Sequence, residues 1–62
     1  MADEKKVLRL LKTARGQMDG IIKMVEENRY CIDISQQLMA TEAILNRANK
    51  EIFAAHLKHC VQ

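Results

Sequence analysis

The stretch Glu26-Glu27-Asn28-Arg29 decides how this chain folds. It holds no apolar residue, and Asn28 is the residue in it that most readily takes the left-handed conformation that ends a helix. On its N-terminal side apolar residues recur at Val7, Leu11, Ala14, Met18, Ile21 or Ile22, and Val25, in alternating steps of four and three. That is the stripe of an amphipathic helix of about seven turns. Asp3, followed by Glu4, supplies its N-cap. On the C-terminal side the same steps run through Ile34, Leu38, Thr41, Leu45, Ala48, Ile52, Ala55 and His59, with no breaker among them. The pattern predicts two long helices, the first from Asp3 and the second from Cys31 to the end of the sequence, with the break between Asn28 and Tyr30.

Composition agrees. Hydrophobic residues make up 48% of the 62, yet the aromatics are only Tyr30 and Phe53, and there is no proline. Leu, Ile, Met and Ala without proline favour helix over sheet. The apolar runs are far shorter than the twenty or so residues of a membrane span, and Met1-Ala2-Asp3-Glu4 is not a signal peptide, so the expected location is the cytoplasm, with no membrane partner. Two cysteines twenty-nine positions apart do not make a disulfide framework; in a reducing compartment they are ligands, redox sensors or core residues.

Two helices joined by a tight turn form an antiparallel hairpin, and a hairpin leaves one side of each stripe uncovered. The expected architecture is therefore all-α: a hairpin of two long helices that pairs into a four-helix-bundle dimer, with residues 1–62 forming one domain. Gly16 and Gly20 fall inside the first helix, where each costs roughly 1 kcal/mol relative to alanine; close packing against a neighbour would explain them.

Three residues carry the chemistry. His56 and Cys60 are four apart and so share a helix face. Cys31 precedes His56 by twenty-five positions, close to seven whole turns at about 100° per residue, so it points the same way. Along one straight helix Cys31 and His56 stand roughly 37 Å apart and cannot share an ion. A reversed copy of the second helix alongside removes the difficulty: Cys31 of one protomer then faces the other protomer's His56 and Cys60, and symmetry makes two such sites. Two sulfurs and one nitrogen are a soft set that suits Cu(I) better than Zn(II) or Ni(II). Taken singly, a helical cysteine is more often a small buried apolar residue and a histidine near a helix end more often meets the dipole. The matched face and interval of all three favour a metal. His59 lies about a third of a turn from Cys60 and is not assigned as a ligand.

Ten basic residues against eight acidic ones leave a formal charge of +2. Lys5, Arg9, Lys12 and Lys23 fall opposite the apolar stripe of the first helix, with Arg15 at its edge, and Arg47, Lys50 and Lys58 lie opposite the Cys31 face of the second. Such rows can neutralise DNA phosphates; from charge alone a solvated face is the simpler reading, because Asp19, Glu26, Glu27 and Glu51 are interspersed. No helix-turn-helix, zinc finger or aromatic-basic pattern is present, so any DNA contact would be dominated by the backbone. No acid-base pair or activated nucleophile suggests an enzyme, and a small organic substrate is not expected.

Three segments, Leu11-Lys12-Thr13-Ala14-Arg15-Gly16-Gln17-Met18-Asp19-Gly20-Ile21, Arg29-Tyr30-Cys31-Ile32-Asp33-Ile34 and His56-Leu57-Lys58-His59-Cys60-Val61, closely resemble the copper-sensitive operon repressor (CsoR-like) family of bacterial metal sensors. The resemblance covers essentially the whole chain from Val7 onward. It implies a homotetramer built from dimers, with Cu(I) held by Cys31 of one protomer and His56 and Cys60 of another. It further implies that the metal-free protein binds operator DNA and the metal-bound form releases it. Tyr30 corresponds to a residue beside the metal site and Arg47 to a DNA-contacting arginine. A second DNA-contacting arginine of the family aligns with Leu10, leaving Arg9, Lys12 and Arg15 as substitutes, and the family's short third helix, which carries a glutamate near the site, is absent from this sequence. Two alternatives stand beside this reading. Persulfide-sensing relatives keep both cysteines, Cys31 and Cys60, but lack the histidine. A purely structural dimerisation module would bind no ligand.

Overall fold

The computed structural model describes residues 3–55. Among them it contains two helices, α1 (Glu4–Glu26) and α2 (Cys31–Ala55), packed side by side as a hairpin.

Local chemistry sets the boundaries. Asp3 caps α1 by accepting the Lys6 N–H on its carboxylate at 3.3 Å, and Glu4 places a negative charge in the first turn, where the helix dipole favours it. At the other end Asn28 adopts φ 61. The Asn28 N–H then donates to the Val25 carbonyl at 3.1 Å and the Arg29 N–H to the Met24 carbonyl at 3.0 Å. These are the two bonds of a Schellman motif, with asparagine in the place usually taken by glycine. α2 restarts at once, the Ile34 N–H donating to the Tyr30 carbonyl at 3.2 Å.

The helices meet along Lys6, Val7, Leu10, Ala14, Gln17, Ile21 and Met24 of α1 and Ile34, Thr41, Ile44, Ala48, Glu51 and Ala55 of α2, the positions that are buried or half-buried. From Val7 onward the α1 positions advance in steps of three and four, as do those of α2 from Thr41, the geometry of a left-handed helix pair. Half of the stripe anticipated from sequence lies in this seam: Val7, Ala14, Ile21, Ile34, Thr41, Ala48 and Ala55. The alternating members Leu11, Met18, Val25, Leu38, Leu45 and Ile52 stay 40–58% exposed. For all of these but Leu38 the seam place is taken by the residue just before: Leu10, Gln17 and Met24 on α1, and Ile44 and Glu51 on α2.

Two cross-helix bonds fix the register. The Thr41 hydroxyl donates to Gln17 Oε1 at 2.9 Å, with the Gln37 carbonyl at 3.1 Å as its alternative acceptor. Nearer the open end, Lys6 Nζ lies 2.8 Å from Glu51 Oε1. Both pairs fit a chain reversal centred near Asn28 and Arg29. Thr41 is 3% exposed, so slipping the helices would strand its hydroxyl from Gln17, and a buried polar pair of this kind selects one register among several apolar ones.

Candidate metal-sensing and nucleic-acid surfaces

With the seam known, the outer sides of the hairpin follow from the helical rotation of about 100° per residue. Leu11, Met18, Ile22 and Val25 project to one side of the α1 seam, and Leu38, Leu45 and Ile52 to one side of the α2 seam. Because the helices run in opposite directions, these are the same side of the hairpin. All seven are exposed, so together they make one apolar flank. Monomeric soluble proteins rarely leave so many large apolar side chains contiguous and uncovered.

Cys31 opens that flank. It is the first residue of α2 and starts a seven-residue row that continues through Leu38, Leu45 and Ile52. It is free and exposed. Tyr30, immediately before it, is also exposed. His56 and Cys60, the other two metal ligands expected from sequence, lie outside the described residues, as do Lys58 and His59. Among the described residues no three His, Cys, Asp or Glu side chains gather where they could hold an ion. Within one hairpin the described residues bring no further donors to Cys31.

The basic residues occupy the remaining sides. Lys5, Leu8, Arg9, Lys12 and Thr13 line a shallow groove on the back of α1. Arg9 and Arg47 stand at the same height along the hairpin, since a reversal near residue 28 or 29 brings position 9 level with position 48 or 49. Both turn away from the apolar flank, and Lys6 and Lys50 lie within a turn of them. Arg15 is set apart, about a third of a turn round from Arg9 at the outer edge of the flank. Of the residues singled out for DNA, Arg9, Lys12 and Arg47 thus lie away from the flank, and Arg15 beside it. Sequence periodicity did not separate the apolar flank from the seam; the signal for it was the doubled rows Leu10-Leu11, Ile21-Ile22 and Ile44-Leu45, each of which supplies one residue to either surface.

No described helix is long and apolar enough to cross a membrane. The hairpin carries an apolar flank, a thiol at one end of it and cations elsewhere, and residues 3–62 match the metal-sensitive transcriptional repressor family. The chain belongs to that family, a family of regulators rather than enzymes. It is 46% identical over 61 residues to the copper-sensing transcriptional repressor CsoR of Mycobacterium ulcerans (strain Agy99), covering 97% of this chain and 52% of that protein. Over 51 residues it is 41% identical to the copper-sensing transcriptional repressor CsoR of Bacillus subtilis (strain 168), covering 82% and 50%. Over 51 residues it is also 39% identical to the copper-sensing transcriptional repressor RicR of Mycobacterium tuberculosis (strain ATCC 25618 / H37Rv), covering 82% and 53%. The chain spans about half the length of the curated relatives it matches.

Proposed function

We propose that this hairpin is the sensing and DNA-binding part of a cytoplasmic, copper-responsive repressor that works as a homodimer or a homotetramer of dimers. Without metal it binds operator DNA through Arg9, Lys12 and Arg47, with Arg15 at the margin; Cu(I) bound between subunits releases it. The observation that carries this reading is the place of Cys31 at the head of the row Leu38, Leu45 and Ile52 on the exposed flank. A second hairpin covering that flank with its α2 reversed would bring its far end toward Cys31. The three relatives described above are all copper-sensing repressors by name.

The chemistry of the donors fits the ion. Cys31 of one protomer with His56 and Cys60 of the partner subunit would supply two thiolates and an imidazole, few and soft donors of the kind that suit Cu(I). When bound, the ion supplies a bond between two chains that the thiol and imidazole groups alone do not make. Tyr30, next to Cys31, would stand beside the site. Arg9 and Arg47, level with each other on the side away from the flank, would contact phosphate without entering a groove. A change in how two hairpins sit on the flank alters the distance between their arginine pairs, and that coupling is the proposed switch.

The test is an anaerobic Cu(I) titration of the protein bound to a fluorescent duplex selected from random sequence. About one Cu(I) per protomer is expected, with DNA affinity falling roughly 5- to 150-fold, the usual range of allosteric coupling. His56→Ala should bind the same duplex and lose the response. A response to polysulfide but not copper, dependent on Cys31 and Cys60 and indifferent to His56→Ala, would make the chain a persulfide sensor. DNA affinity indifferent to both would leave a structural module.

A further inference from the structure

Lys5, Arg9, Lys12, Gly16, Gly20 and Lys23 advance along α1 in steps of four, three, four, four and three. At about 100° per residue they stay within about 80° of one another, on the back of the helix. All six are exposed. They form one row in which a cluster of three cations and a single further cation are separated by two glycines.

Nothing inside the hairpin accounts for those glycines. Neither has a positive φ, so the backbone does not require them. A Cβ added at either would meet no atom within 4 Å, so packing against α2 does not require them either. Two mid-helix glycines weaken α1 relative to alanine, and a use for the bare backbone has to come from a molecule outside the hairpin. The charge of the row says which kind. A second copy presenting the same row would set four cations against four, whereas a polyanion would be attracted to those four cations, which outnumber the bordering carboxylates of Asp19 and Glu27.

We infer that the back of α1 lies along the sugar-phosphate backbone of duplex DNA, with Gly16 and Gly20 giving the clearance that lets one strand run close to the helix between Lys12 and Lys23. This rests on the DNA-binding reading above and extends it: Arg9 belongs to both surfaces, so the DNA contact runs from the Arg9–Arg47 end onto the whole back of α1. Lys12 and Lys23 are roughly 16 Å apart along the axis, and the glycines occupy the interval between them.

The experiment compares the whole chain with Gly16→Ala/Gly20→Ala and with Gly20→Leu. Binding to a mixed-sequence duplex of about 30 base pairs is followed by anisotropy at fixed low salt, beside thermal melting and sedimentation equilibrium. The alanine pair should melt several degrees higher, keep its assembly mass and bind the duplex at least three-fold more weakly. Gly20→Leu should weaken binding ten-fold or more. If wild type binds and both variants match it, the clearance role is wrong although DNA binding stands. If assembly mass changes in the variants, the glycines face another protein copy and the inference fails. A wild type that binds no duplex at any salt removes the DNA-binding reading itself. The alanine pair keeps the test decisive should Gly20→Leu fail to fold, because alanine only strengthens the helix.

Discussion

The two apolar surfaces of the hairpin differ in the size of the side chains they carry. Within the seam the residues most deeply covered include Ala14, Thr41, Ala48 and Ala55, each 3% exposed or less, with Gln17 reaching in to bond Thr41. On the flank stand Leu11, Met18, Val25, Leu38, Leu45 and Ile52, each at least 40% exposed. Small residues let two helices approach closely but remove little apolar area from water. Because hydrophobic stabilisation scales with that area, a hairpin that buries Leu10 and Ile21 but leaves these six large side chains outside has much further stability to gain when a second molecule covers them. Covering the flank is therefore expected to stabilise the fold and the assembly together.

A charge on the flank breaks that arrangement most directly. Leu45→Glu puts a carboxylate at the middle of the surface to be covered, and burying an unpaired carboxylate costs several kcal/mol. The expected result is loss of the assembly and, with it, most of the helicity at micromolar concentration, read by sedimentation equilibrium and far-ultraviolet circular dichroism on the same samples. A variant that stays helical as a monomer would show that the seam suffices and that the flank is an ordinary wet surface.

Enlarging the seam should cost less. Ala48→Leu adds three carbons where 2% of the residue is exposed, and overpacking a filled helix contact typically costs about 1–3 kcal/mol. Urea denaturation should show a lower midpoint with an unchanged slope, and the assembly mass should be retained. The same leucine side chain is thus expected to be stabilising at position 45 and destabilising at position 48, three residues on, which is the distinction between the two surfaces in its simplest form. Equal or higher stability for Ala48→Leu would mean that the helices are held further apart than the buried alanines imply.

The ends of the helices were legible in the sequence because their causes are local: Asp3 caps with its own carboxylate, and Asn28 adopts its left-handed conformation within the Schellman turn. The seam was legible only in part. A chain with Leu10 beside Leu11 and Ile44 beside Leu45 offers two adjoining rows of the same period, and periodicity cannot say which row turns inward. The choice depends on contacts across the pair, above all the bond between Thr41 and Gln17, a polar residue no apolar stripe would place in a seam. At the candidate site, Cys31 could be set at the start of α2 from the turn alone. In the proposed site its partners come from a second chain, and no pattern within one helix contains that information. Arg9 and Arg47, thirty-eight positions apart, come level along the hairpin only once the register is fixed.

The smallest effect on stability is expected at the ion pair, which spans the seam at its open end. Lys6 and Glu51 are 2.8 Å apart, with side chains 38% and 31% exposed. Pairs this wet contribute about 0.2–1 kcal/mol and weaken as salt screens them. A double-mutant cycle of Lys6→Ala and Glu51→Ala should therefore give a coupling below about 1 kcal/mol that fades toward 1 M salt, leaving the seam to its buried apolar residues and the Thr41–Gln17 bond. The larger consequence concerns DNA, because Glu51 occupies a cation lying within a turn of Arg9. Glu51→Gln removes that competitor at little cost to the fold. If Lys6 borders the DNA contact, it then neutralises one more phosphate, and the slope of log affinity against log salt should steepen by about 0.9. An unchanged slope would confine the contact to the back of α1, with Lys6 serving only to tie the two helices together.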